Sequence, residues 1–372
     1  MTSRLWMTAF AGLCILTTGA LRAADAPAQP AEGTKAQADN ADNEKSAKKG
    51  QGKKGAAKAK KGPKAPVDPK VMLAITDKAQ AGPDYEVQGE YVGKIKEEEE
   101  IVTVGGQIVA LGDGKFLGVA YTGGLPGAGW DGSERITSEG EAKDGQTIFK
   151  TEDGRTATVK DGVITVTSAE GELIGKLTKV FRKSRTLTEA PPKGAVVLFD
   201  GKSADAWEGG EMTEDGLLKV GTTSKQKFGD CVIHLEFMTP FMPYARGQQR
   251  GNSGVYLQHR YELQILDSFG LEGLDNECGG FYKVSAPKIN ACLPPLSWQT
   301  YDIDFTAARY EGDKKVKNAM VTVRHNGEVI HQDLELPDAT AGGRKELPEP
   351  GPIFLQNHKN PVVFRNIWVI EK

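Results

Sequence analysis

The run GNSGVYLQHRYELQILDS, residues 251–268, constrains the fold more than any other stretch of the chain. It reads as two short strands joined at a tight polar corner. On the second strand Tyr261, Leu263 and Ile265 share one face and Glu262 and Gln264 the other, because side chains alternate along a strand. An apolar face of this kind needs a core beneath it, and the carboxylate–amide face is left to floor a groove. Strict alternation sends Asp267 to the core side. A β-bulge after Gln264 returns it to the groove, which is where the spacing is read as placing it.

The rest of the sequence agrees with an all-β body. Forty-five of 372 residues are glycine, and helix-type periodicity is low. The length suits two domains with extra segments. A net charge of −3 gives no strong overall field for nucleic acid or anionic membrane.

Residues 1–23 read as a secretory signal peptide, with Arg4 ahead of an apolar run and small residues at Ala20, Ala23 and Ala24. That run is short for a membrane span, so no transmembrane segment is expected after cleavage. Leu13 before Cys14 is too bulky for a lipoprotein cleavage site. The chain is therefore expected to be exported, to the periplasm or to the cell surface and beyond, where thiols meet an oxidising environment. Residues 24–68 are rich in Ala, Lys, Gly and Pro and cannot bury enough surface to offset their ordering entropy, so they are expected to be disordered. Nine lysines crowd KSAKKGQGKKGAAKAKKGPK without an interleaved aromatic. Base stacking, and with it a specific nucleic-acid partner, is not indicated. The segment is a solvated tether or a weak electrostatic attachment to anionic cell-surface polymer.

Residues 69–190 read as a smaller β-rich domain. A short helix is expected over 69–78. Strands are expected at 85–92, 101–111, 116–121, 147–150, 156–160, 163–167 and 173–181, separated by Asp-Gly turns. GGLPGAGWDG, residues 123–132, lacks the following Lys-Ser/Thr of a phosphate loop and is read as a structural turn around Trp130. No activity follows for this domain. After a linker, residues 194–372 suit one large sandwich, with a hairpin at Asn326-Gly327 and a C-terminal core strand over 363–370.

VLFDGKSADAWEG (197–209), GNSGVYLQHRYELQILDS, ECGGFY (277–282), SWQTYDIDFTAARY (297–310), VTVRHNGEVI (321–330) and GPIFLQNHKNPVVFRNIWV (351–369) together resemble the 3-keto-disaccharide hydrolase-type domain family. The resemblance implies a concanavalin A-like jelly-roll sandwich over residues 194–372. It also implies cleavage of glycosides whose glucose ring carries a ketone at C3. Gln258 stands where family members often carry Arg, and Arg260 is a nearby replacement.

A ketone at C3 acidifies the C2 proton, and its removal gives an enolate that expels the C1 alkoxide. That route needs a base, a stabiliser of the enolate oxygen and an acid. The spacing Glu262-x-Gln264-x-x-Asp267 resembles the Glu-x-Asp-x-x-Glu strand of laminarinase-type glycosidases. Glu262 and Asp267 are accordingly the base and acid candidates, and His358 a further acid/base group, enolate stabiliser or metal ligand. Candidate substrate-binding residues are Gln264, Glu236, Asn252, Tyr256, Gln258, Arg260, Tyr282, Gln356 and Arg365, of which Arg365 also asks for a buried carboxylate partner. Glu262, Asp267, Glu236 and His358 together could hold a divalent cation, although no compact ligand spacing demands one. No dinucleotide fingerprint occurs. Cys278 and Cys292 flank one loop-rich segment, with a disulfide or two separate thiols both open, and Cys231 reads as a core thiol. Against the enzyme reading stand a non-catalytic, lectin-like carbohydrate-binding module and a structural surface protein.

Overall fold

The computed structural model describes residues 68–372. The expected signal peptide and the lysine-rich segment lie outside the described residues. The described chain is all-β, and no helix in it is long and apolar enough to cross a membrane.

A 3-10 turn at Pro69–Met72, another at Lys78–Gln80 and one short helix, α1 (Gly82–Val87), open it. The expected helix over 69–78 is thus broken. Tyr85 and Val87, read as strand, are helical instead, because Gly82-Pro83 supplies a helix start ahead of them. Eight antiparallel strands then close a barrel: β1 (Gly89–Glu97), β2 (Glu100–Gly112), β3 (Lys115–Thr122), β4 (Ile136–Lys143), β5 (Gln146–Lys150), β6 (Thr156–Lys160), β7 (Val163–Thr167) and β8 (Leu173–Val180), with β8 returning to β1. Tyr91, Ile108, Phe116, Phe149, Ile164 and Leu177 fill its core. Closure leaves no free edge strand.

The sandwich follows. Its strands are β9 (Val196–Phe199), β10 (Trp207–Glu208), β11 (Leu218–Lys219), β12 (Thr222–Phe228), β13 (Cys231–Met238), β14 (Ser253–Leu257), β15 (Tyr261–Ile265), β16 (Gln299–Thr306), β17 (Arg309–Glu311), β18 (Lys314–Lys317), β19 (Ala319–His325), β20 (Glu328–Leu336), β21 (Gly351–Leu355) and β22 (Val363–Glu371). Five of them form one sheet in the order β10-β12-β21-β14-β15. Seven form the other, running β11-β22-β13-β16-β19-β20 with β9 beside β22. Val255, Leu257, Tyr261, Leu263, Ile265, Ile353 and Leu355 from the first sheet meet Ile233, Leu235, Phe237, Tyr301, Ile303, Val321 and Val369 from the second in one apolar core. The alternation predicted for residues 261–265 is what the structure has. Cys231, Cys278 and Cys292 are buried free thiols.

Barrel and sandwich share polar and backbone contacts. Ile75 and Phe241 form an antiparallel bridge. Arg135 donates to Leu271 O at 2.9 Å, and Arg250 to Ala110 O at 3.2 Å.

Candidate active site

The face of the five-stranded sheet that points away from the core carries the candidate site. Register lines up one row across it: Glu208 opposite Thr223, Thr223 opposite Phe354, Phe354 opposite Tyr256, and Tyr256 opposite Glu262. A second row holds Gln264 opposite Gly254, whose carbonyl accepts from the Gln356 N–H at 2.9 Å. The absence of a side chain on Gly254 matters, since a Cβ there would lie 2.5 Å from Glu262 Oε1.

β15 is an edge strand, yet its outer edge is covered. The Glu262 N–H donates to Thr340 Oγ1 at 2.7 Å. Gly279 N–H donates to Gln264 O, and Gln264 N–H to Gly280 O, each at 2.9 Å. The strap carrying Thr340 then rises over the face, where Ala341 O accepts from the Tyr256 hydroxyl at 3.3 Å.

Glu262 is 6% exposed. Burial pushes its carboxyl up to about 7, only partly opposed by Tyr256 and Gln356, which favour the ionised form. Burial also holds the Tyr256 phenol well above its ordinary value, so it remains a proton-bearing group. Gln356 Nε2 donates to the Tyr256 oxygen at 3.2 Å. Farther along, Gln264 Nε2 donates to Gln248 Oε1 at 2.9 Å, and Asn252 Nδ2 to the same oxygen at 3.1 Å. Gln356 Oε1, Gln264 Oε1 and Asn252 Oδ1 are buried without a hydrogen-bond partner. Buried polar atoms are ordinarily paired. Three such orphans lie along one strip of this face.

The remaining candidates fall elsewhere. β15 pairs residue for residue with β14 and contains no bulge, so nothing returns Asp267 to the groove. Asp267 is buried against Arg250, Nε to Oδ2 at 2.7 Å, rather than turned to the groove. Arg260 donates to Gln258 Oε1 at 2.7 Å and to Glu349 O at 2.9 Å, and Gln258 donates to Phe228 O at 2.9 Å. Both therefore brace the hairpin rather than offer themselves to a ligand. Tyr282 is half-buried at a turn, with the Lys283 ammonium 5.1 Å from its ring centre. His358 is exposed in the loop after β21.

Glu236 occupies the outer face of the opposite sheet. Its neighbours Leu235 and Phe237 face the shared core, so its carboxylate points away from the Glu262 groove. There it is the buried partner that Arg365 meets, Nε to Oε2 at 2.7 Å. Arg365 in turn lies 3.9 Å from the Trp298 ring centre. Asn366 Nδ2 donates to Glu236 Oε1 at 3.0 Å, and the Thr188 N–H donates to the same oxygen. His234 Nε2 is 3.7 Å from Glu236, and its Nδ1 is 2.6 Å from Asp302. Burial works against a charged His234, but Asp302 and Glu236 outweigh it and lift its pKa to about 9. Burial likewise opposes a charged Glu236, yet His234, Asn366, Arg365 and the Thr188 N–H bring it down to about 2. This network clamps the linker between barrel and sandwich. The four-residue cation set read from the sequence is not assembled. Among the described residues, Glu189, His234 and Asp302 are the group that could hold an ion, with ligand atoms within 4.8 Å of one another on this opposite face.

Three groove residues escaped the sequence reading: Gln248, Phe354 and His259. The His259 ring stacks on Phe354 with centroids 4.2 Å apart and lies 6.0 Å from the Tyr256 ring centre. The alternation of β21 around Ile353 and Leu355 was signal enough for Phe354.

No curated protein matches the chain. Three solved structures of candidate glycosyl hydrolases from Parabacteroides distasonis are similar to it. One is 34% identical, covering 49% of this chain and 85% of that one, with a TM-score of 0.45. Another is 18% identical, covering 48% and 94%, at 0.34. The third is 20% identical, covering 48% and 99%, at 0.35. Residues 194–370 match the 3-keto-alpha-glucoside-1,2-lyase-like domain, which supports a carbohydrate-active, hydrolase-type function. With its six motifs in order on one sandwich, the C-terminal domain of this chain, residues 194–370, belongs to the 3-keto-alpha-glucoside-1,2-lyase-like domain family.

Proposed function

We propose that the sandwich cleaves 3-keto-glycosides by abstracting the C2 proton, with Glu262 as the base. The observation that carries this reading is the state of Glu262: a buried carboxyl raised to about 7, on the groove face beside a protonated phenol. A carboxylate of that basicity takes a carbon-bound proton far better than an ordinary one and is still ionised in half the molecules near neutrality. The C3 carbonyl makes the proton acidic enough to be removed. Electrons from the C2–H bond form the enolate, which then expels the C1 alkoxide, and water adds to the resulting enone. The Tyr256 hydroxyl, already aimed at Ala341 O, can donate instead to the developing enolate oxygen or to the leaving oxygen. Gln356, Gln264 and Asn252, whose side-chain oxygens are buried without a partner, line the strip beside Glu262 and Tyr256.

Sugar release from a 3-keto-disaccharide by the full chain, followed by chromatography, tests the reading. Release by the unaltered protein and its loss in Glu262→Gln support it. Unchanged release by Glu262→Gln overturns it. Saturable binding without release points to a lectin-like module.

A further inference from the structure

We propose that His259, stacked on Phe354, forms a second sugar subsite and contacts the ring that leaves from C1. The inference rests on the reading of the groove given above.

The turn Leu257–Arg260 is closed by the Arg260 N–H donating to Leu257 O at 2.9 Å, and both residues inside it take positive φ, Gln258 at 53° and His259 at 56°. This is the left-handed pair that a type I′ turn requires and that Asn-Gly supplies with least strain. The same domain uses that ordinary solution at Asn326-Gly327, with φ of 53° and 86°. At the 258–259 turn the chain instead carries two long side chains in a region where they are disfavoured.

Gln258 has a structural return, since it ties Phe228 O to Arg260. His259 has none of that kind. Its Nδ1 is buried without a partner, and its imidazole makes ring contacts only with Phe354 and Tyr256. Burial and the nearby Arg344 lower its pKa to about 4, so the ring is neutral and offers one donor and one acceptor. The His259 carbonyl accepts from the Arg344 N–H at 2.7 Å, a bond any residue could make, so nothing in the backbone calls for a histidine; strained backbone of this kind is a pointer to function.

Position decides which function. Phe354 lies two strands inward from Glu262, a separation of about 10 Å at ordinary strand spacing. Thr340 and Gly279–Gly280 hydrogen-bond along the outer edge of β15, and the inward path from Glu262 to Phe354 passes Tyr256, whose hydroxyl meets Ala341 O of the strap. With the keto ring over Glu262, the next ring meets the His259–Phe354 stack. The imidazole presents a flat face to a pyranose and hydrogen-bonding nitrogen to its hydroxyls.

Binding is the readout, so that chemistry and subsite are tested separately. The full chain carrying Glu262→Gln is titrated calorimetrically with a 3-keto-disaccharide and with the methyl 3-keto-glucoside, with and without His259→Gly. Glycine accepts the left-handed turn, so the fold is retained and the thermal midpoint stays level or rises. The expected result is a loss of about tenfold for the disaccharide and about no change for the methyl glycoside. His259→Asn, which tolerates the same φ and keeps a polar side chain, recovers part of the loss. Equal weakening of both ligands, or no change in either, overturns the subsite. Failure of the parent reading shows separately, as undiminished turnover by Glu262→Gln whatever stands at 259.

Discussion

Arg250 closes a buried ion pair with Asp267, Nε to Oδ2 at 2.7 Å, while the same guanidinium donates to Ala110 O on a barrel strand at 3.2 Å. The side chain beside the groove loop Gly247–Asn252 is thus shared between the two bodies. Gln88 Oε1 accepts the Ala110 N–H at 2.9 Å and extends the junction.

Arg250→Met leaves the Asp267 carboxylate buried without a counter-charge. A loss of about 3–5 kcal/mol is expected, read as a lower urea midpoint. Adding Asp267→Leu recovers a large part of it, and a double variant as unstable as the single one would show the pair to be unimportant.

Glu262→Gln is expected to reduce turnover at least about a hundredfold. It also changes stability in a pH-dependent way. The folded carboxyl is raised from 4.5 to about 7, so the folded state holds this proton more tightly than the unfolded chain does. Wild-type stability therefore declines as pH rises from 4.5 to 7, by about 3 kcal/mol in total. The variant lacks that decline, and melts higher relative to wild type at pH 8 than at pH 4. In the wild type, kcat/KM rises with pH through a midpoint near 7, as ionisation of the base demands. A pH-independent difference in melting temperature would contradict the buried carboxyl.

Gly254→Ala pushes on Glu262, because its Cβ would lie 2.5 Å from Oε1 and 3.1 and 3.2 Å from Cγ and Cδ, all atoms of that one side chain and none of the backbone. The carboxylate moves while the strands stay. Turnover is expected to fall more than about tenfold from misplacement, with the urea midpoint close to wild type. Full activity would show that the carboxylate position is not critical.

The linker clamp titrates at both ends. Glu236, lowered from 4.5 to about 2, contributes stability above pH 4.5 that is lost as pH falls toward 2. His234, raised from 6.5 to about 9, contributes stability below pH 6.5 that is lost as pH rises toward 9. The clamp is strongest between pH 4.5 and 6.5. Glu236→Gln is expected to lower the melting temperature most in that window, and to increase proteolysis within 184–190. A penalty that is flat in pH would sink the account.

Much of the sandwich was legible because parity along a strand is a local property. Tyr261, Leu263 and Ile265 announce their core face, and Asn326-Gly327 announces its turn. Parity does not say which sheet a strand joins. Glu236 and Glu262 both read as non-core, yet they face opposite sides of the domain. Asp267 was misplaced because the chain leaves the sheet after Ile265, and local alternation does not show that it turns to Arg250, 17 residues earlier. β4 went unseen because Gly140 is its sole buried position and no alternation shows. His259 was passed over because it sits in a turn, where face cannot be counted.

The covered edge of β15 has a consequence for the products. A polysaccharide lying across the sheet would have to pass Thr340 and Gly279–Gly280, where the strap and its neighbour stand in the way. Under the function proposed above, a chain terminus is what this end of the face would seat over Glu262, and the expected product is monosaccharide from the first turnover rather than a ladder of shortened oligomers.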